Sequence, residues 1–303
     1  MQFDAHCVEC LIHRHYKLAM AKNDGEKAFS YIKDVMQVML DAPEGVSAPW
    51  LTGQFGKLYA KYWPGEDAYG TLKKDSNDLV LELLPKIRPL VEQADDPLAM
   101  AIAFARTGNF LDFGILTPDI AHKALWEAVE KTPREKLEPV AYAALRQDLE
   151  TAKSLVILGD NAGEIVFDLL LVEQLQKQYP KLEVIYCVRG ENALNDSTRS
   201  DAAYVGMDKL CPVIDNGSGI SGTEPDYLGE ELKQALQKAD VILSKGSGNM
   251  ESLVGCGLNV YYIFMCKCKR MSKVLGCENM SGQFLREKTL PPLQPYAGCL
   301  DLY

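Results

Sequence analysis

Hydrophobic and polar residues follow two different rhythms along the chain, and the change falls near residue 150. Before it, apolar residues recur at the three- and four-residue spacing of amphipathic helices. This spacing predicts helices over residues 7–22, 26–41, 48–62, 70–93, 97–107, 119–131 and 137–150. Glycine and proline residues fall between these segments, as they do in turns between packed helices. The first half of the chain is therefore predicted to be all helical.

After Thr151, short aliphatic runs alternate with amphipathic helical segments. The runs are LVIL at 155–158, EVIYCV at 183–188, LCPVI at 210–214, DVILS at 240–244 and NVYYIF at 259–264. Strands that alternate with helices form a parallel sheet through right-handed crossovers, with helices on both faces. The pattern predicts an α/β fold, with a helical domain over residues 1–150 and a parallel-sheet domain over residues 151–303. We expect the proline-containing stretch after about residue 280 to pack as an irregular extension.

Composition and charge narrow the classes of function. The 303 residues are 47% hydrophobic and 24% charged, which is ordinary for a globular protein. A net charge of -10 and a pI near 5.0 argue against nucleic acid and anionic membranes as partners. The N-terminal segment lacks the basic and apolar regions of a signal peptide, and no apolar run is long enough to span a bilayer. We therefore expect a cytoplasmic protein, while the oligomeric state stays open.

Cys7 and Cys10 form a close pair among the nine cysteines. Without a secretory signal, free thiols in a reducing compartment are expected. The pair lies on a predicted helix with His6 and His13 at helical spacing, so a second metal site is one interpretation. The second cysteine pair typical of a structural zinc site is not evident, which favours thiols on a packing face.

Polar residues follow four of the predicted strands at the point where each strand ends. They include Asp160, Asn161, Gly163 and Glu164 after the first run, Asn195 and Asp196 after the second, Asp215 after the third, and Lys245 to Asn249 after the fourth. Ligands of parallel sheets bind beyond these strand ends, so we expect the groups to meet at one edge. Carboxylate and amide oxygens favour Mg²⁺, Mn²⁺ or Ca²⁺ over zinc. A lysine among glycines, and free N–H groups at the start of a helix over 163–179, suit a metal-bridged phosphate.

Each of these groups also has a purely conformational explanation. Asp, Asn and Gly are favoured at turns and helix caps, and an isolated lysine is usually a solvated surface charge. Their convergence on one sheet edge favours a functional site. The chain lacks the GxxxxGK[ST] element, and no GxGxxG follows the first strand, so nucleotide hydrolysis and dinucleotide redox chemistry lose support.

Three stretches of the chain resemble the metal-dependent damage-control phosphatases, formerly domain of unknown function 89. They are Asp160-Asn161-Ala162-Gly163-Glu164, Asn195-Asp196-x-Thr198-x-x-Asp201-Ala202 and Lys245-Gly246-x-Gly248-Asn249-x-Glu251. The Gly-Asn-x-Glu motif and Cys7-x-x-Cys10 are similar to the mainly prokaryotic subfamily, and Gly108-Asn109-x-x-Asp112-Phe113 is similar to a further recurrent stretch. The resemblance covers nearly the whole chain. It implies a helical N-terminal region on a Rossmann-like α/β domain.

The resemblance also implies roles for individual residues. A divalent cation, for which Mg, Mn, Co and Ni are candidates, would be bound by Asp160, Asn161 and Asp196. The residues expected to be catalytic are Asp160, Asp196 and Lys245, and those expected to bind substrate are Glu164, Asn109, Asp215, Lys245, Gly246 and Asn249. The implied activity is hydrolysis of a small phosphorylated metabolite, either a sugar phosphate or a damaged phosphometabolite. Two alternatives stay open: a metal-dependent transferase or isomerase with the same phosphate cradle, and a non-catalytic sugar-phosphate-binding protein.

Overall fold

The computed structural model describes residues 1–109, 118–291 and 293. Asp112 and Phe113, which belong to one of the stretches singled out above, lie outside the described residues. None of the helices in the described ranges combines the length and the apolar character needed to cross a bilayer.

Seven α-helices precede the first strand within the described residues. They are α1 (Ala5–Met20), α2 (Gly25–Leu40), α3 (Ala48–Tyr62), α4 (Gly70–Glu92), α5 (Pro97–Gly108), α6 (Pro118–Lys131) and α7 (Pro139–Leu149). Each coincides within a few residues with a helix predicted from the sequence, which confirms those predictions. Asp4, Asp24, Ser47 and Asp96 cap four of them, because each side chain accepts a hydrogen bond from an N–H group that has no partner inside the helix.

A six-stranded sheet follows the helices, with the strand order β3-β2-β1-β4-β5-β6. The strands are β1 (Ser154–Leu158), β2 (Glu183–Val188), β3 (Val213–Asp215), β4 (Val241–Lys245), β5 (Val260–Cys266) and β6 (Ser281–Arg286). The helices between them are α8 (Glu164–Gln178), α9 (Arg199–Val205), α10 (Glu230–Lys238), α11 (Gly246–Leu253) and α12 (Lys269–Leu275). Strands β1 to β5 pair in parallel, as predicted. This order is that of doubly wound α/β domains.

Strand β6 corrects one expectation, because the residues after about 280 do not all form an irregular extension. Ser281–Arg286 pairs antiparallel with β5, from Tyr261 opposite Arg286 to Cys266 opposite Ser281. Only Phe284 in this edge strand is buried. A strand with a single buried side chain lacks the apolar alternation on which strand prediction depends, so the sequence pattern could not reveal it.

The sheet is covered on both faces, as the alternation in β1 shows. Leu155 and Ile157 pack into a core with α4, α5 and α8, whereas Val156 and Leu158 pack into a second core with α10 and α11. Successive side chains of a strand point to opposite faces of the sheet, so both faces of β1 are buried in apolar surroundings. The two-sided burial explains why the predicted strands appear as continuous aliphatic runs.

The helical half of the chain divides between two cores. Helices α4 to α7 share the core on one face of the sheet, to which they contribute Val80, Phe104, Leu125 and Leu145. Helices α1 to α3 enclose a separate core, in which Tyr31, Leu51, Phe55 and Trp63 are buried. Helices α1 to α3 lie against the sheet domain. There the Asp4 carboxylate pairs with Arg270, and Thr52 Oγ1 accepts a hydrogen bond from Ser221 N at 3.2 Å. The predicted domain boundary near residue 150 stays a prediction.

Replacing Phe55 with alanine tests the separate core of α1 to α3. Phe55 is fully buried, so Phe55→Ala should lower the free energy of unfolding by about 3–5 kcal/mol through lost contacts and a cavity. Phe29→Ala is the matched control, because Phe29 on α2 is 66% exposed and should change stability by about 0.5 kcal/mol or less. Urea denaturation followed by circular dichroism measures both. Equal effects of the two substitutions would contradict this assignment of the core.

Candidate active site

The candidate site lies where the order of the strands reverses, between the carboxyl ends of β1 and β4. The chain proceeds from β1 to one side and from β4 to the other, and this opens a crevice at their ends. Asp160 follows β1, and the loop after β2 brings Asp196 beside it. Backbone bonds lock the two loops together, since Ser197 N donates to Asp160 O at 2.7 Å and Ala162 N donates to Asn195 O at 2.9 Å. Predicted residues from two separate loops therefore meet at one place.

Four carboxylates are buried in this region, and two cations lie among them. The carboxylates belong to Asp160, Glu164, Asp168 and Asp196, and the cations to Arg189 and Lys245. If all six are ionised, the four carboxylates and two cations leave a net charge of -2 in the buried cluster. Burying unpaired charge is costly, so such a cluster calls for a cation or for protonation. Burial first, and then the charges of Asp196 and Glu164, raise the pKa of Asp160 well above its usual range.

Arg189 links the two aspartates. Its Nε donates to Asp196 Oδ2 at 2.6 Å, and its Nη2 lies 3.6 Å from Asp160 Oδ1. Within the described ranges, Nη2 is a buried donor without a hydrogen-bond partner. The sequence places Arg189 directly after the second aliphatic run, but gave no reason to assign it a role.

The predicted metal ligands Asp160, Asn161 and Asp196 all line one cavity. Asn161 Nδ2 donates to Asp160 Oδ2 at 2.7 Å, so its amide nitrogen faces the carboxylates. Two carboxylates and an amide are the oxygen donors that Mg²⁺ and Mn²⁺ prefer, and a divalent cation would balance the charge of the cluster. In the described part of the chain, no group of three or more His, Cys, Asp or Glu residues is arranged to hold a metal. The donor chemistry fits, and the ligand set stays a prediction.

Lys245 lies beneath the site and does not line the cavity among the described residues. Its side chain is fully buried, and Nζ donates to Glu164 Oε1 at 2.6 Å and to Asp168 Oδ1 at 2.7 Å. Burial alone would lower the pKa of Lys245, but the two carboxylates outweigh it and raise the pKa to about 12. Lys245 is therefore a charged anchor for α8. This buried and paired position does not favour the predicted contact of Lys245 with phosphate.

Asn109 bridges Asp160 and Glu164 on the other side of the cluster. Asn109 Nδ2 donates to Asp160 Oδ2 and to Glu164 Oε2, both at 2.9 Å. Asn109 Oδ1 accepts a hydrogen bond from Met265 N at 3.0 Å. Asn109 also lines the cavity, whereas Glu164 is 1% exposed and bound to Lys245. The helical part of the chain thus supplies one of the groups that orient the central carboxylate.

Asn249 and Gly246 allow the strand ends to approach closely. Asn249 Nδ2 donates to Lys245 O at 2.7 Å and to Gly159 O at 3.0 Å, while Oδ1 accepts from Arg189 Nη1 at 3.0 Å. Gly246 has φ +76°, and a Cβ added there would lie 2.1 Å from Asp160 Oδ2. Only glycine fits this position. Asn249 joins the ends of β1 and β4 through these bonds, and its predicted contact with a substrate stays a prediction.

Asp215 is paired with protein groups and does not face a substrate as predicted. Asp215 Oδ2 pairs with Arg199 at 2.5 Å, and Oδ1 accepts from Gly217 N at 2.9 Å. Asp215 is not among the described residues that line the cavity.

The expectation of free N–H groups at the start of α8 is wrong for Gly163, which donates to Asn77 Oδ1 at 2.7 Å, and for Ile165, which donates to Asn161 O at 3.2 Å. By contrast, no side chain caps the first turn of α11.

The cavity has a volume of about 470 Å³ and is open to substrate-sized molecules. Its floor carries Asp160, Asn161 and Asp196, and its walls come from α1, α3, the first turn of α11 and the turn after β5. Cys7 and Cys10 lie in the α1 wall, and burial raises the pKa of Cys7 to about 12. A metal at this pair stays an untested prediction.

Lys267 is a wall residue that the sequence analysis did not assign. It is half-buried in the turn after β5, and it makes no ion pair or side-chain hydrogen bond within the described ranges. Its charge lowers the pKa of Asp160, although burial and the two acidic neighbours dominate. The rule that points to strand ends could have found it, because Lys267 directly follows Cys266 at the end of β5.

The fold and the site define a class: an open α/β protein with a buried acidic cluster suited to a divalent cation at its switch point. Residues 3–281 match the family model described as the damage-control phosphatase ARMT1-like domain, so the chain belongs to this family.

Two related proteins and one solved structure are similar to this chain over most of its length. An uncharacterized protein of Methanocaldococcus jannaschii is 31% identical, over 90% of this chain and 91% of that one. A damage-control phosphatase of Archaeoglobus fulgidus is 28% identical, over 91% of this chain and 96% of its own. The crystal structure of a DUF89 family protein from Pyrococcus horikoshii superposes with a TM-score of 0.81 at 22% identity, over 95% of this chain and 99% of that one. This likeness confirms the fold.

Lys245 and Lys267 should differ in what their loss does to stability. Lys245→Met leaves Glu164 and Asp168 buried without their cation, so it should lower the free energy of unfolding by about 3–5 kcal/mol at neutral pH. Lys267→Met breaks no ion pair and should cost about 0.5 kcal/mol or less. Urea denaturation measures both.

The deficit of Lys245→Met should shrink as the pH falls. Burial raises the pKa of Asp168 to about 6 even beside Lys245, and loss of that cation should raise the pKa further, so in the variant the carboxylate opposes folding where it is ionised, at high pH, and ceases to do so once it is protonated. A deficit that is the same at pH 5 and pH 8 would argue against an unpaired buried carboxylate as its cause.

Proposed function

We propose that this chain is a divalent-metal-dependent phosphatase that hydrolyses a small phosphorylated metabolite. The observation that carries the proposal is the pair of buried carboxylates, Asp160 and Asp196, that line a cavity at the strand ends and belong to a cluster of four buried carboxylates and two buried cations. Two further features support it. The relative from Archaeoglobus fulgidus is named a damage-control phosphatase, and the cavity walls carry groups suited to a phosphate.

Asp160, Asn161 and Asp196 would hold the divalent ion, which supplies Lewis-acid activation and charge neutralisation when bound. Arg189 holds Asp196 in place through its Nε contact at 2.6 Å. Asn109 holds Asp160 through its amide. Both contacts restrict the side chains to one arrangement, so little reorganisation is needed at the moment of reaction.

The substrate phosphate would lie between the floor of the cavity and the first turn of α11. Ser247 and Gly248 of this turn line the cavity, and the start of a helix attracts anions through its N–H groups and its dipole. We assign to Lys267 the cationic contact that the sequence suggested for Lys245, because Lys267 lines the cavity, makes no ion pair within the described residues and lies close enough to Asp160 to lower the pKa of that carboxyl. Phosphoryl transfer depends on such charge stabilisation. Lys245 then acts as a positioning residue, through Glu164.

The decisive experiment measures phosphate release from a panel of phosphomonoesters by EDTA-treated protein reconstituted with Mg²⁺, Mn²⁺, Co²⁺ or Ni²⁺. Turnover should require metal. Asp196→Asn should reduce both metal affinity, measured by calorimetry, and kcat by at least about a hundredfold, in the range found when a charge-stabilising group is removed. Asp215→Asn is the matched control, because this aspartate also follows a strand but pairs with Arg199 away from the cavity.

The same assay separates the alternatives. Metal binding that depends on Asp196 without phosphate release from any ester would favour a sugar-phosphate-binding protein. Conversion of a phosphorylated substrate with its phosphate retained would favour a transferase or isomerase. Loss of turnover in Asp215→Asn equal to that in Asp196→Asn would restore Asp215 to the substrate site.

A further inference from the structure

A second cavity adjoins the one that holds the candidate metal ligands. Its volume is about 270 Å³, and Thr52 and Leu194 line both cavities. The second cavity lies beside α3, which contributes Phe55 and Ala60, and its other walls come from α1 and from the turns at residues 66–69 and 191–194. The floor of the first cavity is acidic, whereas most of the lining surface of the second is apolar, although Glu66, Asp67 and Glu191 also contribute to it. The two cavities therefore offer different chemistry on either side of a shared partition.

Leu194 forms part of that partition in an uncommon backbone conformation. Its φ is +52°, in the left-handed region that a leucine rarely adopts. The turn that imposes it is held by a hydrogen bond from Asp196 N to Ala193 O at 2.9 Å and by one from Ala162 N to Asn195 O at 2.9 Å. Strained residues tend to cluster at ligand sites, where the surrounding structure holds them. Here the strained residue stands two positions before the proposed metal ligand Asp196.

His15 supplies a polar group to the second cavity. It is 3% exposed, and its Nδ1 lies 2.7 Å from Tyr31 Oη, while its Nε2 has no partner in the described ranges. Burial lowers the pKa of His15 to about 4, so the ring is neutral at physiological pH. If Nδ1 carried the proton, the Tyr31 hydroxyl would lack an acceptor. We therefore assign the Tyr31 hydroxyl as the donor to Nδ1, which leaves Nε2–H as a donor without an acceptor.

We infer that the second cavity binds the organic part of the substrate, which extends past Leu194 from a phosphate held at the first cavity. This inference rests on the proposed phosphatase function and names a substrate class. The substrate is a phosphomonoester with an extended, partly apolar chain that carries a hydrogen-bond acceptor, such as a carbonyl or ether oxygen, for His15 Nε2. Pockets of this combined size suit ligands much larger than a phosphate group.

The test uses straight-chain alkyl phosphates from ethyl to decyl, assayed with the metal-loaded protein. Once the chain reaches the second cavity, kcat/KM should rise by about fourfold per added methylene, because each methylene leaves water for an apolar site. Ala60→Phe fills the cavity and should flatten this dependence. Lys61→Phe adds the same ring at the next position of α3, which is not among the described residues that line the second cavity, and should keep the dependence.

A second variant tests the polar contact. Esters with an amide carbonyl in the chain should exceed alkyl phosphates of equal length by roughly threefold to tenfold, the range of one hydrogen bond. His15→Phe should abolish that preference. If this variant does not fold, Ala60→Phe still decides the question of the cavity.

Two outcomes would overturn the inference: a flat chain-length profile in the unsubstituted protein, or an equally steep profile in Ala60→Phe. A protein that releases no phosphate from any ester, ethyl phosphate included, contradicts the proposed function instead. Binding of the corresponding alkyl phosphonates, measured by calorimetry, then decides the inference on its own, because affinity should rise with chain length in the unsubstituted protein and not in Ala60→Phe.

Discussion

The structure depends on one electrostatic constraint, the burial of four carboxylates with only two cations at the switch point of the sheet. Ionised groups out of water are stable only when they are paired and hydrogen-bonded. Lys245 is shared between Glu164 and Asp168, and Arg189 pairs with Asp196. Asp160 is left with amide donors and a distant guanidinium, so it is the group that most needs a further cation.

Meeting this constraint joins parts of the chain that are far apart in sequence. Asn109, at the end of α5, reaches both Asp160 and Glu164. Asn249, on α11, connects the backbone of two strand ends with Arg189. The helical half is thus part of the site and not only a cover. Helices α1 and α3, which have their own core, supply walls of the cavity above the acidic floor.

The different positions of Lys245 and Lys267 follow from strand geometry. Lys245 is the last residue of β4 and has the same parity as Val241 and Leu243, which face the core beside α8. Its side chain therefore points to the face of the sheet, toward Glu164 and Asp168. Lys267 lies one residue beyond the end of β5, where the chain has left the pleat and a side chain can face the crevice. Lys245 lies inside its strand and Lys267 lies beyond the end of its strand, and this difference separates their surroundings.

The sequence alone determined the helices, five of the six strands and the gathering of Asp160, Asn161 and Asp196 at one edge, because these follow from local periodicity and from the direction of parallel strands. It could not reveal β6, whose one buried residue is Phe284, or the separation of α1 to α3 into their own core. Only the tertiary structure decided which polar groups face the cavity and which are consumed in pairing, as with Asp215 and Arg199. Hydrogen bonds and ion pairs between distant residues settle that question, and no local pattern encodes them.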